Sequence, residues 1–251
     1  MRIDITMTCT KRLSIFKRTV ESFYNNMFKD YLDQGNELHF IINIDPIGNE
    51  GNTFDFISVL NNIPKISMLI NTPSQVSFPK AFKWVWENTT ADYVCPLEDD
   101  WELLRKVNLL DLIRILEEEK DLALLRLPAF HAGKDSMKNW NKFFPYNGKY
   151  YECPEDMKRG LGFCGHPSLI KGEFVRNTIP YLDENRNPEK QFHSRGRTPI
   201  MQEIVKWRYG VYGTPGALPL IKDIGRKWMV KSGYRKAGCK AHFVQWEDLK
   251  T

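Results

Sequence analysis

The stretch DYVCPLEDDWEL, Asp92 to Leu103, decides how this chain is read. Tyr93 to Leu97 is an apolar run of strand length, and it leads straight into Glu98, Asp99 and Asp100, with Trp101 behind them. Adjacent like charges repel, so a strand that delivers three carboxylates to one point calls for something positive there. Hard divalent cations take oxygen ligands, and magnesium-type sites join one or two carboxylates to substrate phosphates. A metal ion at the strand end, its outer face on a diphosphate, would offset the repulsion. The competing reading is an acidic helix start over EDDWELL, favoured by the helix macrodipole.

Working outward, strand and helix patterns alternate through the first half. IDITMT (Ile3–Thr8) alternates like a strand, and Leu13, Phe16, Val20, Phe23 and Met27 recur at helical spacing, predicting an amphipathic helix over about residues 11–28. LHFIINID (Leu38–Asp45) and ISMLINT (Ile66–Thr72) are near-continuous apolar runs, suited to strands covered on both faces. FPKAFKWVWENT opens with Pro79 near a first helical turn and sets Phe78, Phe82 and Val85 on one face. NLLDLIRILEEEK reads as a helix and DLALLRLP as the strand after it. Such alternation predicts an α/β fold with a mostly parallel central sheet and helices on both faces. Ligands of such sheets bind beyond the carboxyl ends of the strands. There the polar residues collect: Thr8, Thr10 and Arg12 after the first strand, Asp45 ending the second, and the acidic triplet ending the fourth.

Past residue 130 the regularity breaks. The polar, aromatic, turn-rich segment His131–Gly160 reads as an excursion over the binding edge, with room for a hairpin. Order returns with GFCGHPSLIKGEFVRN, a strand then a helix, and with TPIMQEIVKWRYG, a helix leading into YGVYG. The expectation is one domain over 1–251, with residues 1–128 holding one ligand and residues 129–251 finishing the site.

The chain has 251 residues, 42% hydrophobic and 13% aromatic, enough for a large core. No stretch has the unbroken apolar length of a membrane span, and the N-terminus lacks a signal-peptide pattern, so a cytoplasmic protein without a transmembrane segment is expected. Five widely spaced cysteines without a CxxC argue against a disulfide framework or zinc site, and Cys9 and Cys95 read as small core residues. Net charge is +5, with the basic surplus in Gly225–His242, which carries no acid. That segment is either a solvated tail or a clamp for an anion such as a diphosphate. Nucleic-acid binding is not expected, for want of a more basic balance and a recognisable module.

Taken together, ITMTCTKRLSIFKRTVESF (5–23), IINIDP (41–46) and FPKAFKWVWENTTADYVCPLEDDWEL (78–103) resemble the family 2-like glycosyltransferases of the GT-A fold. The resemblance is good over about residues 1–130 and looser over GHPSLIKGEFV, NPEKQF and KDIGRKW. Glu98-Asp99-Asp100 corresponds to that family's DxD motif, with Glu in place of the usual first Asp. The resemblance implies a nucleotide-sugar donor, a glycan or other hydroxyl acceptor and Mn²⁺ or Mg²⁺. It implies Asp100 on the metal, Glu98 and Asp99 supporting ribose and metal, and Asp45 reading the base. His242 is a candidate further metal ligand.

Sugar transfer also needs a general base, charge balance for the leaving diphosphate and alignment of the substrates. By the family's layout the base lies at a helix start well after the triplet, where Glu189 in RNPEKQFHS stands behind Pro188; the other reading of Glu189 is a surface turn, with Glu203 and Asp156 in reserve. Thr8, Arg12, Lys80, Arg226 and Lys227 are candidate donor-binding residues. His166 and Trp140 are candidate acceptor contacts, each with an ordinary structural reading beside it. No Ser/His/Asp or Cys/His pattern argues for a covalent nucleophile. Two other functions fit parts of the pattern: a metal-dependent nucleotidyltransferase, against which stands the lack of a Gly-rich phosphate loop near the first strand, and a non-catalytic carbohydrate-binding module.

Overall fold

Both faces of the first strand are buried, and this organises the molecule. The computed structural model describes residues 1–130, 144–193, 199–232, 234–237 and 245–248. In β1 (Arg2–Arg12), Ile3, Ile5, Met7 and Cys9 enter one core, while Asp4, Thr6, Thr8 and Thr10 alternate onto the other face. The chain runs on through α1 (Leu13–Phe23), a π-helical turn (Tyr24–Phe28) and α2 (Lys29–Asp33) into β2 (Glu37–Glu50). Next come α3 (Thr53–Leu60), β3 (Ile66–Asn71), α4 (Phe78–Glu87) and β4 (Tyr93–Glu98), then β5 (Trp101–Leu103), α5 (Leu109–Glu118), β6 (Leu122–Arg126) and β7 (Ala129–Phe130). The second half holds β8 (Tyr151–Glu152), α6 (Lys158–Leu161), β9 (Ser168–Lys171), α7 (Gly172–Thr178), α8 (Pro188–Gln191), α9 (Ile200–Ile204), β10 (Arg208–Val211), β11 (Ile221–Asp223), α10 (Gly225–Ser232), β12 (Tyr234–Ala237) and β13 (Gln245–Asp248).

The main sheet has the order β3-β2-β1-β4-β9-β6-β10-β8. The pairs β1·β2, β1·β4, β2·β3 and β6·β10 are parallel, as the alternation predicts. β9 is inserted antiparallel between β4 and β6, and β8 is antiparallel at the edge. β5, β11 and β7 form a small second sheet, with β11 antiparallel to β5. On one face of the main sheet α1, α3 and α5 pack on Ile42, Ile44, Cys95 and Leu97; on the other, Phe82, Val85 and Trp86 of α4 pack with Ile41 and Val94. No helix among the described residues is long and apolar enough to cross a membrane.

Three boundaries differ from the sequence expectation, and one competing reading falls away. The first helix starts at Leu13, because strand pairing holds the backbone as far as Arg12, opposite Glu50. It also continues past residue 28 through the π turn, which frees the Asn26 carbonyl to accept from Val107 N at 2.8 Å while Asn26 Nδ2 donates to the Leu103 carbonyl at 2.9 Å. β2 does not end at Asp45 but runs to Glu50. The acidic triplet does not open a helix: Asp99 and Asp100 form a tight turn from β4 into β5. Of the excursion, residues 131–143 lie outside the described residues, and the remainder contributes β8 and a bridge from Tyr146 to Tyr151.

Candidate active site

Strand register places the polar residues. Asn71 of β3 pairs with Asn43 of β2, Asn43 with Thr8 of β1, and Thr8 with Glu98 of β4, so four strands present one polar row. Thr10 and Asp45 are paired two residues further on, on the same face. The row lies at the carboxyl ends of parallel strands, where α/β sheets bind ligands.

The positive group facing the acidic turn is Arg12. Its Nε donates to Asp99 Oδ2 at 2.9 Å, its Nη2 to Asp99 Oδ1 and, at 3.0 Å, to Asp100 Oδ2. The Thr10 backbone N–H donates to Asp99 Oδ2 at 3.0 Å, and Thr19 Oγ1 to the Asp99 carbonyl at 2.7 Å. Arg12 is 5% exposed and Asp99 1%. Burial works against the guanidinium's charge, but Asp99 and then Asp100 outweigh it and raise its pKa. Arg12 and Asp99 are thus engaged with each other, and the candidate donor roles rest on the neighbours they hold. The indole of Trp228 in α10 covers Arg12, whose guanidinium carbon lies 5.8 Å from the ring centroid, and Trp228 Nε1 donates to Glu50 Oε1 at 2.6 Å. α10 abuts the turn directly: Ile224 N donates to the Asp100 carbonyl at 2.8 Å, and any Cβ at Gly225 would collide with the Asp100 carboxylate.

Asp45 sits beside this node in an open cleft of about 250 Å³ with Asn43, Asn71, Ser77, Lys80 and Trp84 on its walls. Asn43 Nδ2 donates to Asp45 Oδ1 at 2.9 Å, and Asn71 Nδ2 to Asn43 Oδ1 at 2.7 Å. Burial pushes the Asp45 carboxyl up to about 6, against the hydrogen bonds from Asn43 and the Ser77 backbone; the charge of Asp99 adds to the rise. A carboxyl raised on folding favours the folded chain while protonated, so its contribution is full below the unfolded value near 4 and is lost as pH rises through about 6. Asp45→Asn is therefore expected to remove about 2–3 kcal/mol of stability loss between pH 4 and 7. Urea unfolding of both chains at the two pH values checks this, and equal losses count against it.

A second, narrow cleft is lined by Thr8, Glu98, Gly165 and Glu189 together with the rings of Phe82, Trp86 and Phe163. Glu189 lies in the first turn of α8 behind Pro188, as its sequence context predicts. Its Oε1 accepts from the Gly165 backbone N–H at 2.9 Å, an approach that needs glycine, since a Cβ there would lie 2.5 Å from that oxygen. His166, two residues after Cys164, hydrogen-bonds its thiol and stacks edge-on against Trp101, with ring centroids 4.9 Å apart. Buried Arg126 donates from Nη1 to Cys164 Sγ at 3.1 Å. Burial would raise the Cys164 thiol, but Arg126 and His166 prevail and bring it down to about 6. Burial lowers and the Cys164 charge raises the His166 pKa, with a net rise. This Cys/His pair was missed from sequence; the close CGH spacing was its one local signal, and Arg126 comes from a different strand.

The other expected residues are more scattered. Lys80 lines the Asp45 cleft. Arg226 is largely exposed on α10 and donates from Nε to Asp223 Oδ2 at 2.9 Å, while Asp223 Oδ1 caps Gly225 N at 2.9 Å. Glu203 is taken up by Asn177, Lys206 and Trp207. Trp140, His242 and the side chain of Lys227 lie outside the described residues. Cys9 and Cys95 are core residues. Among the described residues no group of three or more His, Cys, Asp or Glu side chains gathers to cage a metal. Asp100 and Glu98, both oxygen donors, fit a hard cation that takes the rest of its shell from water and substrate phosphate.

This sheet order, with an acidic turn at the end of β4, is the GT-A fold. The sequence matches no protein-family model and no curated protein. Solved structures do match. TarS of S. aureus, residues 1–349, has a TM-score of 0.58 at 10% identity, covering 92% of this chain and 63% of that one. Its complex with UDP-GlcNAc has a TM-score of 0.58 at 9% identity, covering 88% and 58%. The mannosyltransferase PcManGT from Pyrobaculum calidifontis, in complex with GDP-Man and Mn²⁺, has a TM-score of 0.59 at 9% identity, covering 90% and 57%. The chain spans less than two thirds of the length of these neighbours, and at such identities the likeness is one of fold.

Proposed function

We propose that this chain is a glycosyltransferase that moves a sugar from a nucleotide-sugar donor to an acceptor hydroxyl by direct displacement, with inversion. The observation that carries the reading is the cleft that Glu98 and Glu189 both line, beside an Asp100 held by Arg12, in a fold shared with a mannosyltransferase bound to GDP-Man. The nucleotide lies along the row from Asn71 to Glu98, with Asp45 accepting from the base and Lys80 and Arg226 near the phosphates. Asp100, with Glu98, would hold Mn²⁺ or Mg²⁺, which when bound balances the charge of the departing diphosphate.

Glu189 works from the other side of the sugar. Its carboxylate takes the proton from the acceptor hydroxyl as that oxygen bonds to the anomeric carbon, and the bond to the phosphate oxygen breaks. The Gly165 N–H fixes one carboxylate oxygen and leaves the second for the proton. The aromatic floor keeps water from competing with the acceptor. Arg12 holds Asp99 and the turn in place, so that Asp100 need not reorganise as charge develops.

The test is nucleoside diphosphate release from UDP-, GDP- and dTDP-sugars with and without Mn²⁺. Metal-dependent release supports the reading; pyrophosphate release from a sugar phosphate and a nucleoside triphosphate points instead to a nucleotidyltransferase, and no turnover leaves a binding module. Asp100→Ala is expected to lower the metal-dependent rate by about 10²–10³-fold, the usual cost of removing charge stabilisation at a leaving group. Unchanged turnover in that variant rules out Asp100 as the metal's anchor.

A further inference from the structure

We propose that Cys164 is a nucleophilic thiolate, open to capture by soft carbon electrophiles, and that its modification dislodges Glu189. The second half rests on Glu189 as placed above.

The thiolate reading starts from geometry. Three of the described cysteines, Cys9, Cys95 and Cys153, are buried, while Cys164 is partly exposed. Burial raises all three of those thiols, keeping them protonated and inert. Cys164 instead meets two cationic side chains, Arg126 from β6 with Nη1 at 3.1 Å and His166 from its own loop. Of the other charges acting on His166, Arg126 lowers its pKa and Glu189 of α8 raises it, while the Cys164 charge and hydrogen bond leave a net rise. The thiol proton rests on His166, and Arg126 balances the sulfur's charge. The depressed thiol pKa agrees with this arrangement.

Its coupling to Glu189 is covalent and steric. Cys164 is followed directly by Gly165, whose N–H holds Glu189 Oε1 and whose Cα leaves no room for a Cβ. Phe163, on the other side, is stacked on Phe192 with centroids 3.9 Å apart, so the loop has little freedom to yield. A group added at Sγ, where Arg126 Nη1 already lies at 3.1 Å, is accommodated by displacing the loop, and with it Gly165 and its hydrogen bond. With iodoacetamide the sulfur forms a bond to the methylene carbon as the carbon–iodine bond breaks and iodide leaves with its electron pair. Sulfur passes from thiolate to thioether, and His166 loses the negative partner that held its proton.

The experiment is brief iodoacetamide treatment of the full native chain at pH 7.5, read cysteine by cysteine by mass spectrometry. Cys164 should label about tenfold or more faster than Cys9, Cys95 and Cys153, and His166→Gln should slow it severalfold. Equal rates at Cys9, Cys95, Cys153 and Cys164, or an unchanged rate in His166→Gln, overturn the thiolate. A crystal structure of the alkylated chain should show Glu189 off the Gly165 N–H; a retained bond overturns the coupling. Nucleoside diphosphate release should fall in step with the labelled fraction, and Cys164→Ser should resist the reagent. A native chain that turns over no nucleotide sugar defeats the proposed function alone, because labelling and crystal structure are read without turnover.

Discussion

Glu189→Gln is expected to slow sugar transfer by about 10²–10⁴-fold while leaving donor affinity within a few-fold of the native chain. Gln keeps a side-chain oxygen to accept from the Gly165 N–H at the same place, so the loop and the first turn of α8 hold their form. What is lost is the ability to take a proton from the acceptor. A base makes its contribution in the transition state, so the loss falls on kcat rather than on donor binding. Steady-state kinetics with a donor titration followed by thermal shift separate the two. If donor affinity falls as far as turnover does, Glu189 holds the site together and the base lies elsewhere.

Arg12→Met is expected to destabilise the fold by about 3–5 kcal/mol, because it leaves the Asp99 carboxylate buried with its charge uncompensated. Asp99 is 1% exposed, and among the described residues its carboxylate keeps only the Thr10 backbone N–H as a donor once the guanidinium fork is gone. Adding Asp99→Asn to Arg12→Met should recover much of the loss, since the amide oxygen still accepts from Thr10 without carrying charge. Arg12→Lys should recover little, because one ammonium cannot span both carboxylates as the fork does. Urea unfolding of the variants decides the point. A loss of about 1 kcal/mol or less in Arg12→Met, the scale of an exposed pair, would show that Asp99 finds water or another partner.

The two expected results rest on parts of the chain that differ in how legible they are. The helix start at Glu189 is readable because its cue is local: Pro188 opens the turn and the acid comes next, with Asn187 as the cap that the structure adds. The acidic triplet is readable in position, since an apolar run of strand length points to it. Its partner is not. The sequence reading supplied a metal ion to offset the three charges, whereas the first offset comes from Arg12, 87 residues away in the chain. Trp228 on Arg12 and Glu50, and Arg126 beside Cys164, are hidden for the same reason: each joins side chains from elements with no local pattern in common.

From sequence alone came the β/α alternation, the two-sided burial of β2, and the gathering of Thr8, Asp45 and Glu98 toward one edge; ISMLINT, also expected to be covered on both faces, is instead the half-exposed edge strand β3. Hydrophobic periodicity is a property of neighbouring residues, and burial of a strand on both faces shows as an unbroken apolar run. Only the tertiary structure decided that β9 runs antiparallel between β4 and β6, that β2 continues to Glu50, and that the triplet turns into β5 rather than into a helix. An apolar strand carries the same pattern in either direction, and its length is set by the partner it pairs with. The charge balance of the site belongs to the same class: Arg12, Asp99 and Asp100 acquire their roles when folding removes water from between them.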